Sequence, residues 1–219
     1  MEHQPSLGSD NHSGIHPRIL ESLVEANQGS APSYGMDQWS LELKNLLKSE
    51  LGCIDSHLVF NGTAANVLSV ACSLKSYESV ICSNVAHLHV DECAAPEKFF
   101  GGKVLPTPHT NGKITTKGIK EHIIRRGDQH FSQVKMVSLT QPTEYGTCYS
   151  LQELKDIKAL CIKEDLYLHI DGARIGNAAH FLETSLKDIL SLADVATIGG
   201  SKNGLLVGDL VLIYNEKLT

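Results

Sequence analysis

The chain has 219 residues, 42% hydrophobic and 20% charged, which is enough for one large or two small globular domains with a sizeable core. A net charge of −6 argues against a nucleic-acid surface. No apolar run is long enough to span a bilayer, and the polar start, residues 1–10, lacks the basic and apolar regions of a signal peptide. These exclusions predict a cytoplasmic protein that binds neither nucleic acid nor membrane.

Residues 1–14 read as an arm or loop. The stretch 17–26 reads as a short helix: Pro17 suits the first helical position, Ile19, Leu20, Leu23 and Val24 make one face, and Gly29 follows the end. Trp39, Leu43, Leu46 and Leu47 stand at helical spacing, which predicts a second helix from about Asp37 to Leu51. From there, candidate strands alternate with candidate helices. Strand 57–60 precedes helix 63–74, strand 80–83 precedes helix 87–95, and strand 102–106 precedes helix 116–126. Strand 135–140 precedes a helix opened by the capping box Ser150-Leu151-Gln152-Glu153, with Leu151, Leu154, Ile157, Leu160 and Cys161 inward. Strand 166–170, helix 185–192, strand 195–198 and strand 209–214 complete the series.

Most of these seven strands are continuous apolar runs, as expected where both faces are covered. The alternation predicts an α/β fold with an open, mostly parallel sheet flanked by helices. Ligands of such sheets bind beyond the carboxyl ends of the strands. The six cysteines, Cys53, Cys72, Cys82, Cys93, Cys148 and Cys161, form no C-x-x-C pair and lie in or beside apolar segments. They read as buried free thiols in a reducing compartment.

Two motifs at strand ends carry the strongest chemistry. Leu168-His169-Ile170-Asp171-Gly172-Ala173-Arg174 ends one apolar run, and Ile198-Gly199-Gly200-Ser201-Lys202-Asn203-Gly204 ends the next. An aspartate that keeps a pyridine nitrogen protonated and a lysine that forms a Schiff base are what pyridoxal phosphate (PLP) chemistry needs. Asn61-Gly62-Thr63 follows an earlier strand and opens a helix, where free amides and the helix dipole favour a phosphate. A Gly-Thr helix start is also simply a good cap. Ser201 can donate to the same phosphate.

Other residues admit two or more readings. Arg174 can grip a substrate carboxylate or pair with Asp171. His87-Leu88-His89-Val90-Asp91 would put three metal ligands on one face as a strand, the pattern of a metal-dependent hydrolase. As a helix start it leaves only His87 and Asp91 together, with His87 free to stack on a flat cofactor. No further paired histidines supply ligands, so no metal is expected. Glu144, after another strand, serves either as a general base or as an ordinary loop carboxylate.

Taken in order, Ser9-Asp10-Asn11-His12-Ser13-Gly14, Tyr34-Gly35, Gly62-Thr63-Ala64-Ala65-Asn66, Ala86-His87, Asp171-Gly172-Ala173-Arg174 and Gly199-Gly200-Ser201-Lys202-Asn203-Gly204 resemble the threonine aldolase and β-eliminating lyase family of fold-type-I PLP enzymes. The resemblance implies roles. Lys202 would carry PLP, Asp171 would pair with the ring nitrogen, and His87 would stack on the ring. Gly62, Thr63 and Ser201 would hold the phosphate. Arg174 and Ser9 would contact the substrate carboxylate, and Tyr34 would lie near the site of a neighbouring subunit in a homodimer or homotetramer. Glu144 stands where many members carry a histidine.

The implied reaction is aldol cleavage of L-threonine or L-allo-threonine, a small amino-acid substrate, to glycine and an aldehyde. β-Elimination from an amino acid is the alternative chemistry. The resemblance divides the chain into an arm with a short helix (1–36) and a PLP-binding large domain (37–219). Members continue into a small domain that has no counterpart before Thr219. A truncated PLP-binding domain with little or no turnover is therefore the other expectation.

Overall fold

Apolar runs separated by capped amphipathic segments build a three-layer arrangement in which a sheet is covered on both faces. The structure is a computed structural model that describes residues 6–219; the first five residues of the expected arm lie outside the described residues. The sheet strands are β1 (Asp55–Val59), β2 (Glu78–Ser83), β3 (Lys103–Thr107), β4 (Gln133–Thr140), β5 (Tyr167–Asp171), β6 (Val195–Ile198) and β7 (Asp209–Ile213). The helices are α1 (Pro17–Ala26), α2 (Gln38–Leu51), α3 (Gly62–Ser73), α4 (His87–Val90), α5 (Ala95–Phe100), α6 (Thr116–His122), α7 (Leu151–Lys163), α8 (Ile175–Phe181) and α9 (Leu186–Leu190).

The sheet order is β1-β7-β6-β5-β4-β2-β3. β7 runs antiparallel to both its neighbours, and the other pairings are parallel. This one reversal matters for function. Because β7 enters from the opposite end, its first residue, Asp209, pairs with Val59 near the carboxyl end of β1, and Leu210 pairs with Ile198 at the end of β6. The parallel register brings Thr140 beside Asp171 at the ends of β4 and β5.

Alternate strand residues feed two apolar cores on opposite faces. Ile81, Val137, Leu139, Leu168 and Ile170 join α2, α7 and α9 in the larger cluster. Val80, Cys82 and Met136 join Val70 of α3 and Phe100 of α5 in the smaller one. Each fully buried aliphatic side chain contributes about 2 kcal/mol by leaving water. The edge strands β1 and β3 are only partly covered, unlike the inner strands.

Local signals explain most boundaries. Ser150 Oγ accepts from the Glu153 amide at 3.2 Å and Glu153 Oε2 accepts from the Ser150 amide at 2.7 Å, completing the capping box that opens α7. Asp37 caps α2 through the Ser40 amide at 2.8 Å, and Gly52 ends that helix with φ of +75°.

Three expected helices differ. The run 87–95 is not one helix: it breaks into α4 and α5 at Cys93 and Ala94, which hold φ of +52° and +58°. Pro96 near the start of α5 is the physical reason, since a proline inside a continuous helix would remove a hydrogen bond and clash with the preceding turn. The helix expected over 116–126 ends at His122, because Ile123 leaves helical geometry and Arg125 and Gly127 take positive φ. The helix expected over 185–192 is confined to Leu186–Leu190. Helix α8 was not anticipated. The thiols also differ from expectation: Cys53, Cys82 and Cys161 are buried, but Cys148 is half-buried and Cys72 and Cys93 are exposed.

Candidate active site

At the carboxyl end of the sheet lies a cavity of about 230 Å³. His87, Glu144, Asp171, Arg174, Ser201 and Lys202 line it, with Gly62 and Thr63 at the open start of α3. The sequence-predicted residues Ser9 and Tyr34 lie elsewhere. Ser9 caps a short 3₁₀ turn by accepting from the Asn11 amide at 3.2 Å, and Asn11 reaches the cavity. Tyr34 is fully exposed, with φ of +63°.

Two glycines allow the β5 and β6 ends to meet. A Cβ on Gly172 would sit 2.2 Å from the Thr197 carbonyl oxygen, and one on Gly199 would sit 2.3 Å from that of Ala173. Without side chains, the Gly199 amide donates to the Gly172 carbonyl at 3.1 Å. This close approach brings Lys202 into the same cavity as Asp171.

The Lys202 turn is held from several sides. Asp209 Oδ1 accepts from the Gly200 amide at 3.0 Å, and Asn203 Nδ2 donates to the Gly199 carbonyl at 2.6 Å and to that of Ala173 at 3.2 Å. The His16 amide donates to the Gly204 carbonyl at 2.9 Å, so the N-terminal arm also leans on this turn.

Asp171 is buried at 5% exposure, yet its carboxylate is satisfied without an arginine. Asn66 Nδ2 donates to Oδ2 at 2.9 Å and the Ala173 amide donates to Oδ1 at 3.0 Å. Arg174, three residues on, turns instead to Asp10, donating from Nε to Oδ2 and from Nη2 to Oδ1 at 3.0 Å. The Asp171–Arg174 pair allowed by sequence spacing therefore does not form. The guanidinium holds the Asp10 carboxyl below the usual carboxylate range, and Asp10 raises Arg174 in return.

His87 opens α4, so the H-x-H-x-D segment is helical and does not present the strand-borne ligand set. Among the described residues, no group of three His, Cys, Asp or Glu side chains is arranged to hold a metal ion. His87 Nδ1 lies 2.9 Å from Glu92 Oε1, and this hydrogen bond raises the imidazole above its ordinary value against the opposing effect of burial. The His87 amide donates to Glu144 Oε1 at 2.9 Å, and the Thr140 hydroxyl donates to the same oxygen at 2.8 Å. The Glu144 carboxylate is thus fixed at one oxygen.

Behind these groups, His169 is fully buried, with Nδ1 2.8 Å from the Ser138 hydroxyl, and burial pushes it down to about 4. Sequence reasoning missed Asn66, Glu92, Asn203 and Asp209. An amide side chain, Asn66, on the buried face of α3, and an acid just past the end of α4, were the available signals. Asp209 became relevant only through the antiparallel entry of β7.

The donor set fits PLP. A helix start offers amides without intrahelical acceptors to a phosphate, since the Asn61 side chain takes only that of Ala64, at 2.9 Å. A buried Asp171 carboxylate, the Lys202 primary amine on the turn after β6 and the His87 imidazole, which precedes both in the chain, line the same cavity.

Comparisons with known proteins give the family. Residues 6–218 match the family model described as beta-eliminating lyase. The chain is 42% identical to a low specificity L-threonine aldolase of Pseudomonas aeruginosa, over 99% of this chain and 64% of that protein. It is 31% identical to that of Saccharomyces cerevisiae, over 94% of this chain and 55% of the relative. A solved structure of Leishmania major threonine aldolase superposes with a TM-score of 0.89 at 32% identity, covering 96% of this chain and 63% of that one. The chain thus spans less than two thirds of the length of these relatives. It belongs to the beta-eliminating lyase family.

Proposed function

We propose that this chain carries the PLP site of an aldolase that cleaves L-threonine or L-allo-threonine to glycine and an aldehyde. The convergence of Lys202, Asp171 and His87 on one cavity, from the ends of three separate segments, carries the reading. The similarity to low specificity L-threonine aldolases supports it.

Lys202 would hold the cofactor through Nζ, Asp171 would meet its ring nitrogen, His87 would lie against its ring, and Gly62, Thr63 and Ser201 would hold its phosphate. When bound, PLP supplies an electron sink for the pair released as the Cα–Cβ bond breaks. Arg174 binds the substrate carboxylate through guanidinium N–H groups that Asp10 leaves free. Glu144, anchored at Oε1, takes the β-hydroxyl proton at its other oxygen, and this proton loss lets the aldehyde form.

The assembly is proposed to be a homodimer or homotetramer. The apolar face of α1 supports this, because Leu20, Leu23 and Val24 are 46–62% exposed where a helix normally buries such a stripe. Six free thiols support a reducing, cytoplasmic location, and no described helix is long and apolar enough to cross a membrane.

The test is incubation with PLP and L-threonine or L-allo-threonine, with glycine and acetaldehyde measured together. Equal amounts of both products, absent in Lys202→Ala, are expected. A 2-oxo acid and ammonia in their place would assign elimination, and no product with either substrate would reject the aldolase reading.

A further inference from the structure

We propose that Glu92 and Asn66 are positioning residues that fix the His87 ring and the Asp171 carboxylate in one relation to each other across the cofactor cavity. The inference rests on the PLP reading of that cavity and extends it to residues behind the groups assigned to the cofactor.

Three separate segments meet here. Asn66 comes from the inward face of α3, Glu92 from the turn after α4, and Asp171 from the end of β5. A single side-chain nitrogen joins them: Asn66 Nδ2 donates to Glu92 Oε1 at 2.9 Å and to Asp171 Oδ2 at 2.9 Å. The same Glu92 oxygen lies 2.9 Å from His87 Nδ1. The chain of contacts therefore runs from His87 through Glu92 and Asn66 to Asp171.

Packing alone does not account for Glu92. Its side chain is 0% exposed, and its only basic partner among the described residues is His87. Its second oxygen, Oε2, has no hydrogen-bond partner, and neither does Asn66 Oδ1. A buried carboxylate with an unmet oxygen costs stability that an apolar side chain of similar volume would not. What the arrangement gains is geometry. An Nδ1–H donated to Glu92 sets the tautomer and stops the imidazole turning about its own axis. The two hydrogens of the Asn66 amide then keep Glu92 and Asp171 at a fixed separation despite their like charges.

The charged groups facing His87 are Glu92 from its own segment, Asp171 from β5, Lys202 from the turn after β6 and Glu144 from the loop after β4. Glu92 and Asp171 favour the imidazolium and Lys202 opposes it, and Glu92 is the strongest of these influences.

The experiment compares wild type, Glu92→Gln and Asn66→Ala. The His87 ring titration is followed by NMR in PLP-free protein, with the His87 signal assigned from its absence in His87→Asn. PLP affinity is measured by absorbance titration. The His87 midpoint is expected to fall in Glu92→Gln, and both variants are expected to bind PLP about tenfold more weakly, as loss of one charge-assisted hydrogen bond implies. An unchanged His87 midpoint in Glu92→Gln overturns the proposal, as does wild-type PLP affinity in Asn66→Ala. A wild-type chain that binds no PLP would defeat the PLP reading itself, whereas the titration still reads the Glu92–His87 coupling.

Discussion

Arg174 donates to both carboxylate oxygens of Asp10, a residue 164 positions earlier, and so ties the N-terminal arm to the edge of the cavity. The pair is partly exposed, so its contribution to stability is small. Its value lies in aim: the fork fixes one edge of the guanidinium and leaves the other donors for a ligand.

Lysine cannot reproduce that geometry. Arg174→Lys is expected to raise the KM for the amino acid by about tenfold or more, with PLP affinity close to wild type. Steady-state kinetics with a parallel PLP titration checks this. An unchanged KM would remove Arg174 from the substrate site.

Glu144 is held at one oxygen by the His87 amide and the Thr140 hydroxyl. Glu144→Gln keeps the shape and removes the proton acceptor. The expected result is a fall in kcat of about 10²-fold or more with little change in KM. A raised KM with kcat unchanged would make Glu144 a binding residue instead.

His169 links the fold to pH. Burial lowers it from 6.5 to about 4, against the pull of Asp171 and Glu92. Between those values the unfolded chain binds a proton that the folded chain refuses. The stability tied to this group is complete above 6.5 and is lost as pH falls through about 4. His87 runs the other way: raised by Glu92, its contribution is present below the ordinary histidine value and fades as pH climbs through its folded value. Urea midpoints should fall on acidification from 6.5 towards 4, and the slope should flatten in His169→Gln. An equally steep acid limb in that variant would contradict the assignment.

Gly172→Ala tests the close approach of the two strand ends. A methyl group 2.2 Å from the Thr197 carbonyl must push β5 and β6 apart at the site. A loss of about 2 kcal/mol or more is expected, with PLP binding weakened further than stability alone explains. Thermal denaturation and PLP titration read the two effects.

Much of this was legible in the chain itself. The seven strands were found to within a few residues, the inner ones because strands buried on both faces are mostly apolar. Asp171, Lys202 and the Gly62-Thr63 helix start stood out because each follows such a run. What escaped was non-local. Glu92 and Asn66 are 26 residues apart, and their bond joins elements whose meeting depends on how α3 and α4 pack. Asp10 is an ordinary loop acid until the arm folds back on Arg174. The break at Cys93 and Ala94 was signalled by Pro96, but neither residue carries the glycine that normally marks a positive φ.

Lys202 is proposed as the attachment point for PLP. The most direct measurement is to load the protein with PLP, reduce it with borohydride and map the modified peptide by mass spectrometry. A single pyridoxyl group on Lys202 is expected. A label on any other lysine, or no label on a folded protein, would contradict it.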